Sequence, residues 1–207
     1  GSFSYRAPAA QGSSSEAYRF TLVDGDGDRV EGSGSLQAQK LQTVLGTAGD
    51  DAALEGGPKA DVLLGQAGND TLHGDGGNDV LFGGAGADVF RWSLADAGAP
   101  GQPAVDTVGD FTLKTDTTPG DVLDLRDLLQ GENHDTGTGN LNRFLSFELS
   151  GGNTVVHVSS TGGFSGGYAP AKEDQTITLN GIDLVTGYAN DQAIIQKLLD
   201  DNKLIVD

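Results

Sequence analysis

A nine-residue phrase, ideally GGxGxDxLx, is repeated five times between Gly46 and Arg91, and it limits the fold more than any other feature of the chain. Glycines early in each copy permit turns that other residues avoid, and the apolar residues that follow suit a short strand. Turns and strands that alternate at a fixed period wind into flattened coils of two copies each. The sequence therefore predicts a mainly β fold, a parallel β-roll. The five copies are residues 46–54, 56–64, 65–73, 74–82 and 83–91.

Every copy has an aspartate at its sixth position. Equivalent turns recur every second copy, because Asp61 and Asp79 are 18 residues apart, as are Asp70 and Asp88. The aspartates therefore stack in two columns. Strands in adjacent coils lie about 4.8 Å apart, so neighbouring carboxylates repel by about 1 kcal/mol even in water. Carboxylates and turn carbonyls form an all-oxygen shell, which suits Ca²⁺ better than zinc or copper. We predict several calcium ions between the coils.

Two copies depart from the ideal repeat. Lys59 replaces the glycine at the fourth position, and Ala52–Ala53 adds a residue, so that Asp51 and Asp70 are 19 residues apart. The first metal site on each side is therefore the weakest prediction. The alternative is a disordered linker rich in Gly and Asp. A linker needs no apolar residue at a fixed position, whereas four consecutive copies keep one, as Leu63, Leu72, Leu81 and Phe90.

Composition limits the partners of the protein. The 207 residues carry a formal charge of −18, so no basic face is available to neutralise nucleic acid or an anionic membrane. Cysteine is absent, which excludes disulfides and thiolate metal sites. No apolar stretch approaches the ~20 residues of a membrane span. We expect a monomer with no nucleic-acid partner and no membrane insertion.

The sequence of residues 1–42 predicts a pair of strands. Tyr18, Phe20 and Leu22 alternate with polar or small residues, and the segment from Arg29 is expected to return as a second strand. The DGDGD turn between them, residues 24–28, is not an EF-hand loop, because its sixth and twelfth positions would be Arg29 and Ser35 rather than Gly and Glu. Calcium binding and a solvated hairpin both remain open for this turn.

The region after the roll combines strands with one or two short helices. Residues 92–105 form a predicted loop, and 106–207 form a capping region. Asn190 or Asp191 can cap a helix whose Ile194, Ile195, Leu198 and Leu199 share one face. The other predicted elements are a strand reaching Leu125, a hairpin of 144–149 with 154–158, a strand at 175–184, and the terminal segment 203–207.

One enzyme motif matches literally, since residues 163–167 read GFSGG and fit GxSxG. A nucleophile elbow needs an apolar strand before it, a helix after it and a later histidine. Ser159–Thr161 precede the segment, Tyr168–Pro170 follow it, and the three histidines lie earlier in the chain. We therefore predict a Gly/Ser loop, and a chain that is not an enzyme.

The order of motifs resembles the C-terminal region of large bacterial RTX adhesins of the LapA-like and ice-binding class, which are exported by type I secretion. The resemblance covers residues 43–207. It rests on the nonapeptides, DTVGDF, GDVLDLRDLL, QTITLNGIDL and the terminal IIQKLLDDNKLIVD. The nonapeptide is specific for RTX proteins in general, whereas the later motifs are typical of the adhesins' secretion target domain. Residues 1–42 resemble the end of an Ig-like extender module, or form an N-terminal cap.

The resemblance also implies a set of calcium ligands. They are the sixth-position aspartates, residues just before them, the first glycines of the turns, and three aspartates beside the roll. The residues are Gly46, Asp51, Gly56, Asp61, Gly65, Asn69, Asp70, Gly74, Asn78, Asp79, Gly83, Ala87 and Asp88, followed by Asp106, Asp110 and Asp121.

The function implied is that of a calcium-binding C-terminal module, secreted to the bacterial surface, which is disordered without Ca²⁺ and folds on export. It would contact the type I secretion machinery through its C-terminal segment and support adhesion and biofilm formation. The terminal LIVD is either a transport signal or a last strand, and these roles are compatible. The alternative is the noncatalytic tail of a secreted RTX lipase or protease. A ligand-binding tip module is the weakest hypothesis, because Trp92 is the single tryptophan.

Overall fold

A computed structural model describes residues 14–23, 29–38, 41–134 and 137–207. The chain divides into two compact units, Gly1–Leu41 and Gln42–Asp207. In the first unit, strands β1 (Ser14–Val23) and β2 (Arg29–Ala38) pair antiparallel, with Val23 opposite Arg29. This unit therefore contains a pair of strands in the segment where the sequence predicts one. The DGDGD turn lies outside the described residues.

The described part of the second unit consists mainly of short strands, with one α-helix and two 3₁₀ turns. The 3₁₀ turns are Leu141–Arg143 and Pro170–Lys172, and the helix is α1, Asp191–Asp200. The strands are β3 (Gln42–Leu45), β4 (Leu54–Glu55), β5 (Asp61–Leu64), β6 (Thr71–His73), β7 (Val80–Phe82), β8 (Val89–Ser93), β9 (Ala104–Val108), β10 (Val122–Asp127), β11 (Leu145–Ser150), β12 (Asn153–Val158), β13 (Gln175–Leu179) and β14 (Leu204–Ile205).

The strands form the two sheets of a parallel β-roll. One sheet has the order β11-β12-β13-β9-β7-β5-β3 and the other β14-β10-β8-β6-β4, so that successive strands of the repeat region alternate between sheets. Val62 pairs with Val80, and Thr71 with Val89. Each coil therefore contains 18 residues, as the spacing of the copies predicts. β3 precedes the first copy and adds a strand that the repeat pattern does not mark.

The extra residue of the first copy is absorbed in one turn. Gln42 pairs with Asp61 at a spacing of 19 residues, whereas Leu54 pairs with Leu72 at a spacing of 18. The insertion therefore lies before Leu54, at Ala52–Ala53 as predicted. The strands on either side keep their parallel register.

The repeated apolar position fills the interior of the roll. Leu63, Leu72, Leu81 and Phe90 are completely buried, and Leu54 is nearly so. Burial of one such side chain contributes about 1.5–3 kcal/mol. Their fixed position in each copy thus creates one continuous apolar core.

The predicted loop at 92–105 is shorter in the structure. Trp92 and Ser93 continue strand β8, and Ala104 and Val105 begin β9. Trp92 extends the strand because its indole is buried, with 2% of the residue exposed. Local composition, rich in Gly, Pro and Ala, did not reveal this burial.

The C-terminal residues cover the end of the roll largely as predicted. β11 and β12 form the hairpin, and its turn at Gly151–Gly152 has positive φ at both residues, which suits a two-residue hairpin. Asn190 caps α1 by accepting a hydrogen bond at Oδ1 from the Ala193 N–H at 3.0 Å. β14 pairs parallel with β10, so the terminal segment is a strand of the roll. The strand expected at 175–184 ends earlier, at Leu179.

The GFSGG segment has no nucleophile-elbow geometry. β12 ends at Val158, and a turn separates it from Ser165, which is exposed. The segment is followed by the short 3₁₀ turn at 170–172 rather than by an α-helix. Phe164 is buried and holds this loop against the protein. Within the described residues, none of the helices is long and apolar enough to cross a membrane.

Candidate calcium sites

The aspartates of the repeat form two hydrogen-bonded columns. We name them the Asp70 column, which contains Asp51, Asp70, Asp88 and Asp121, and the Asp79 column, which contains Asp61, Asp79 and Asp106. In each column the Oδ1 atom accepts a hydrogen bond from the backbone N–H of the preceding member. The distances are 2.8 Å for Asp51 to Asp70, 2.9 Å for Asp70 to Asp88, 2.9 Å for Asp88 to Asp121, 2.8 Å for Asp61 to Asp79 and 2.7 Å for Asp79 to Asp106.

The second carboxylate oxygen distinguishes the middle of the columns. Among the described residues, the Oδ2 atoms of Asp70, Asp79 and Asp88 are buried and have no hydrogen-bond partner. Each of these residues is only 1% exposed. A buried acceptor without a partner costs about 1–3 kcal/mol, and more when it is charged. These oxygens need a cation or a proton.

The first glycine of each copy leaves room beside this oxygen. A Cβ atom placed on Gly46 would lie 2.6 Å from the Gly65 carbonyl oxygen and 2.7 Å from Asp51 Oδ2. On Gly65, Gly74 and Gly83 it would collide with Oδ2 of the aspartate in the same copy, and on Gly56 it would lie 3.0 Å from Asp61 Oδ2. Turn backbone and carboxylate oxygens therefore converge where a side chain would otherwise stand. This donor set fits a hard cation such as Ca²⁺.

The residues before the aspartates have a structural role in the roll. Asn69 Oδ1 accepts from the Ala87 N–H at 2.9 Å, and Asn78 Oδ1 accepts from the Val105 N–H at 3.0 Å. These bonds run along the coil stack in the direction opposite to those of the aspartates. The amide oxygens of Asn69 and Asn78 therefore join adjacent coils, and the calcium role of Asn69, Asn78 and Ala87 stays a prediction.

The predicted ligands at the column ends already have protein donors. Asp51 Oδ2 accepts from the Thr47 N–H at 2.6 Å. Asp106 Oδ2 accepts from Trp92 Nε1 at 2.7 Å, and Asp121 Oδ2 accepts from the Thr112 N–H at 2.6 Å. Asp110 bonds the turn of the last copy, because its two oxygens accept from the Gly83 N–H at 3.0 Å and the Gly84 N–H at 2.9 Å.

Sequence reasoning placed Asp106, Asp110 and Asp121 beside the roll, and the structure brings two of them into the columns. The signal was hidden because these members follow at intervals of 27 and 33 residues rather than 18. The donors at the column ends were also missed. Thr47 was detectable as a departure from glycine at the second position of its copy, whereas the contact of Trp92 with Asp106 had no sequence signal.

Burial makes the aspartate columns costly to ionise. It raises the pKa of Asp79 to about 7, and the neighbouring carboxylates of Asp106 and Asp61 push in the same direction. Burial likewise raises the pKa of Asp88 to about 6, with Asp121 and Asp70 adding to the shift. The pKa values of Asp106 and Asp121 are also raised by burial. A bound cation would remove the need for this protonation.

A separate polar cluster joins β6 to the loop after β8. His73 Nε2 lies 2.7 Å from Asp96 Oδ2, and His73 Nδ1 lies 3.4 Å from Asp75 Oδ1. The hydrogen bond with Asp96 raises the pKa of His73. The two carboxylates face different ring nitrogens, and one ligand atom of each of the three residues lies within 4.8 Å of the others. From the sequence, His73 is expected to be an ordinary surface or packing residue at the end of a strand of the roll.

The comparison with protein families decides the nature of the repeats. The family described as the RTX calcium-binding nonapeptide repeat, in four copies, matches residues 55–90. This segment is an RTX calcium-binding repeat. The match confirms Ca²⁺ as the cofactor of the RTX repeats and excludes the disordered linker. It begins after the first copy, which carries the inserted residue.

Two solved structures of subunits of one enzyme are similar to this chain. The AlgE6R3 subunit of the mannuronan C5-epimerase of Azotobacter vinelandii is 21% identical, with 77% of this chain and 80% of that chain covered and a TM-score of 0.40. The AlgE6R2 subunit of the same epimerase is 23% identical, with coverage of 80% and 92% and a TM-score of 0.47. No curated protein matches the chain.

Proposed function

We propose that this chain is a calcium-triggered folding module of a secreted protein, at the trailing end of a bacterial surface adhesin exported by type I secretion. The observation that carries the proposal is the set of three buried, unpartnered oxygens on Asp70, Asp79 and Asp88. The folded RTX repeats bury these carboxylate oxygens without a protein donor, and a proton or a cation would satisfy them. Folding of the roll is thus linked to the calcium concentration.

The link acts as a switch on export. Free calcium is scarce in the cytosol, so the aspartate columns repel and the segment stays extended enough for a transport channel. Extracellular calcium sites have dissociation constants of roughly 10⁻⁴ to 10⁻³ M, which millimolar calcium outside the cell exceeds. At ten times Kd, one ion that binds only the folded form contributes about 1.4 kcal/mol, and several ions act together. The roll therefore folds outside the cell.

The adhesin assignment rests on the motifs after the roll. RTX repeats are typical of secreted proteins, and DTVGDF, GDVLDLRDLL and the C-terminal segment resemble the secretion target domain of adhesins. In this proposal α1 and β14 serve both as the cap of the core and as the part that the type I machinery engages. The module works as a monomer, and the protein supports adhesion and biofilm formation at the cell surface.

The first experiment is a calcium titration of chelated protein followed by far-UV circular dichroism. We expect a cooperative gain of β signal near millimolar calcium. A protein that is equally folded in chelator would remove the switch and overturn the proposal.

Substitution of two column aspartates tests the source of the switch. Asp70→Ala with Asp79→Ala removes two of the three unpartnered oxygens, so we expect the calcium midpoint of folding to rise at least threefold. Asp116→Ala is the matched control, because Asp116 is exposed in the loop after β9. An unchanged midpoint in the double variant would show that the columns do not hold the ions.

The gene sequence upstream of the module discriminates an adhesin from a hydrolase tail. Tandem Ig-like repeats would support the adhesin, whereas an HExxH motif or a true nucleophile elbow would support the secreted lipase or protease. Export of a reporter fused to residues 42–207, with and without a type I transporter, tests the secretion role directly. Equal export without the transporter would refute it.

A further inference from the structure

At the start of the Asp70 column, the carboxylate and the turn carbonyl both accept hydrogen bonds from the protein. Asp51 Oδ2 accepts hydrogen bonds from the Thr47 N–H at 2.6 Å and from Thr47 Oγ1 at 3.2 Å. The Gly46 carbonyl, which is the turn oxygen of the same copy, accepts a hydrogen bond from Gln66 Nε2. Both oxygens that the repeat pattern assigns to calcium at this position are therefore bonded to neutral protein donors.

Thr47 and Gln66 share one position of the repeat. Both occupy its second place, where the ideal copy has glycine. Gln66 keeps the backbone that suits glycine, with φ at 83°, a region that residues with side chains seldom adopt. Its side chain nevertheless reaches back to the preceding coil. Gln66 thus combines a strained backbone with a hydrogen bond from its side chain to the Gly46 carbonyl.

The other ends of both columns have the same chemistry. Asp106 Oδ2 accepts from Trp92 Nε1 at 2.7 Å and from Gln175 Nε2 at 2.8 Å. Asp121 Oδ2 accepts from the Thr112 N–H at 2.6 Å and from Thr112 Oγ1 at 3.0 Å. Two donors satisfy each terminal carboxylate, whereas Asp79 and Asp88, one step inward, have an unpartnered Oδ2.

We propose that hydrogen-bond donors of the chain itself replace calcium at three ends of the two aspartate columns, so that the contacts of Asp51, Asp106 and Asp121 form without metal. Thr47 and Gln66 close the Asp51 end, Trp92 and Gln175 close the Asp106 end, and Thr112 closes the Asp121 end. This inference rests on the proposed calcium-dependent folding. Calcium binds at the other column carboxylates, and the chain binds fewer ions than it has column aspartates.

The Asp51 end can be tested with a variant that is expected to gain one calcium site. The double variant Thr47→Gly with Gln66→Gly restores the ideal glycines, removes the Thr47 hydroxyl from Asp51 Oδ2 and frees the Gly46 carbonyl, while the backbone N–H of residue 47 remains. We expect one calcium ion more than in the wild type, counted by native mass spectrometry and by isothermal titration calorimetry. The matched control is Asp75→Gly, which makes the same change at the second position of the fourth copy, where the residue pairs only with His73 among the contacts described. An unchanged ion count in the double variant would overturn the inference at this end.

A comparison of inner and terminal aspartates tests the other ends. Asp79→Asn should bind one ion fewer than the wild type, because Asp79 Oδ2 lacks a protein donor. Asp106→Asn and Asp121→Asn should keep the wild-type count, with each protein checked for folding by circular dichroism at saturating calcium. Loss of an ion from either folded terminal variant would overturn the inference at that end. If one terminal variant does not fold, the other still decides the question.

The two proposals can fail separately. A wild-type chain that binds no calcium would refute both the proposed function and the inference that three column ends are closed. A wild type that folds with calcium, but gains no ion in the glycine variant and loses one in the terminal variants, would refute the closed ends alone.

Discussion

At the scale of single residues, the aspartates of the two columns differ in the hydrogen bonds that their Oδ2 atoms accept. Asp79 is buried without a partner for Oδ2, Asp51 is bonded by Thr47, and Asp106 is bonded by Trp92 and Gln175. The sequence pattern predicts the aspartates and their columns, because an 18-residue coil follows directly from the period. It does not predict the donors, because residues 92, 106 and 175 meet only after the whole chain has folded.

The protonation of Asp79 predicts how pH acts on the protein in metal-free buffer. Its pKa is about 7 in the folded protein, well above the ordinary value near 4. The folded state therefore binds this proton more tightly than the unfolded chain. The resulting stability is fully present below pH 4 and is lost as the pH rises through 7. The raised pKa values of Asp88 and His73 act in the same direction.

We therefore expect the folded fraction of the calcium-free chain to increase when the pH is lowered from 8 to 5. The measurement is the β signal in far-UV circular dichroism at several pH values after calcium has been removed. Asp79→Asn should reduce this dependence, because an amide does not titrate. A wild-type β signal that falls steadily from pH 8 to pH 5 would contradict the prediction.

At the scale of elements, the sequence predicts those helices and hairpins that are stabilised by residues close together in the chain. The α1 helix follows its Asn190 cap, and the β11–β12 hairpin follows its glycine turn. Two strands without such signals were less well predicted. β3 has no complete copy around it, and β8 extends through Trp92 because of burial that depends on distant residues. The structure therefore differs from the prediction where long-range packing determines the ends of an element.

The stacked strands predict a large effect of one core substitution. Leu72 on β6 pairs with Leu54 on β4 and with Phe90 on β8, and it is completely buried. Leu72→Ala leaves a cavity between rigid coils, so we expect it to lower the free energy of unfolding by about 2–5 kcal/mol at saturating calcium. Urea unfolding measures the change. Leu94→Ala is the control, because Leu94 is 45% exposed and should lose less than about 0.5 kcal/mol.

At the scale of the whole molecule, the C-terminal residues belong to the same core as the RTX repeats. β14 extends the sheet that begins at β4, and Leu204 pairs with Leu123. The buried Lys203 donates a hydrogen bond from Nζ to the Gly120 carbonyl at 2.8 Å, one residue before Asp121. Burial lowers the pKa of Lys203, and the Asp121 carboxylate counteracts that effect. The last strand thus carries a cation close to the end of the Asp70 column.

This arrangement predicts that the roll cannot fold without its C-terminal segment. A chain ending at Asn190 lacks α1 and β14, so it loses the buried Ile194, Ile195 and Leu198 and exposes the edge of β10. We expect it to show no calcium-induced β signal in far-UV circular dichroism at calcium concentrations that saturate the full chain. A truncated chain that folds at the wild-type calcium midpoint would contradict this expectation.

Removal of residues 1–41 is the matched control for this truncation, because Gln42–Asp207 is a compact unit by itself. This second truncation should keep the calcium midpoint of the full chain. If the two truncations behave as expected, loss of export after C-terminal truncation cannot be assigned to a lost transport signal, because the same change removes part of the core. Substitution of the exposed Lys197 on α1 can then separate signal from structure, since its ion pair with Asp201 stays within the same C-terminal segment.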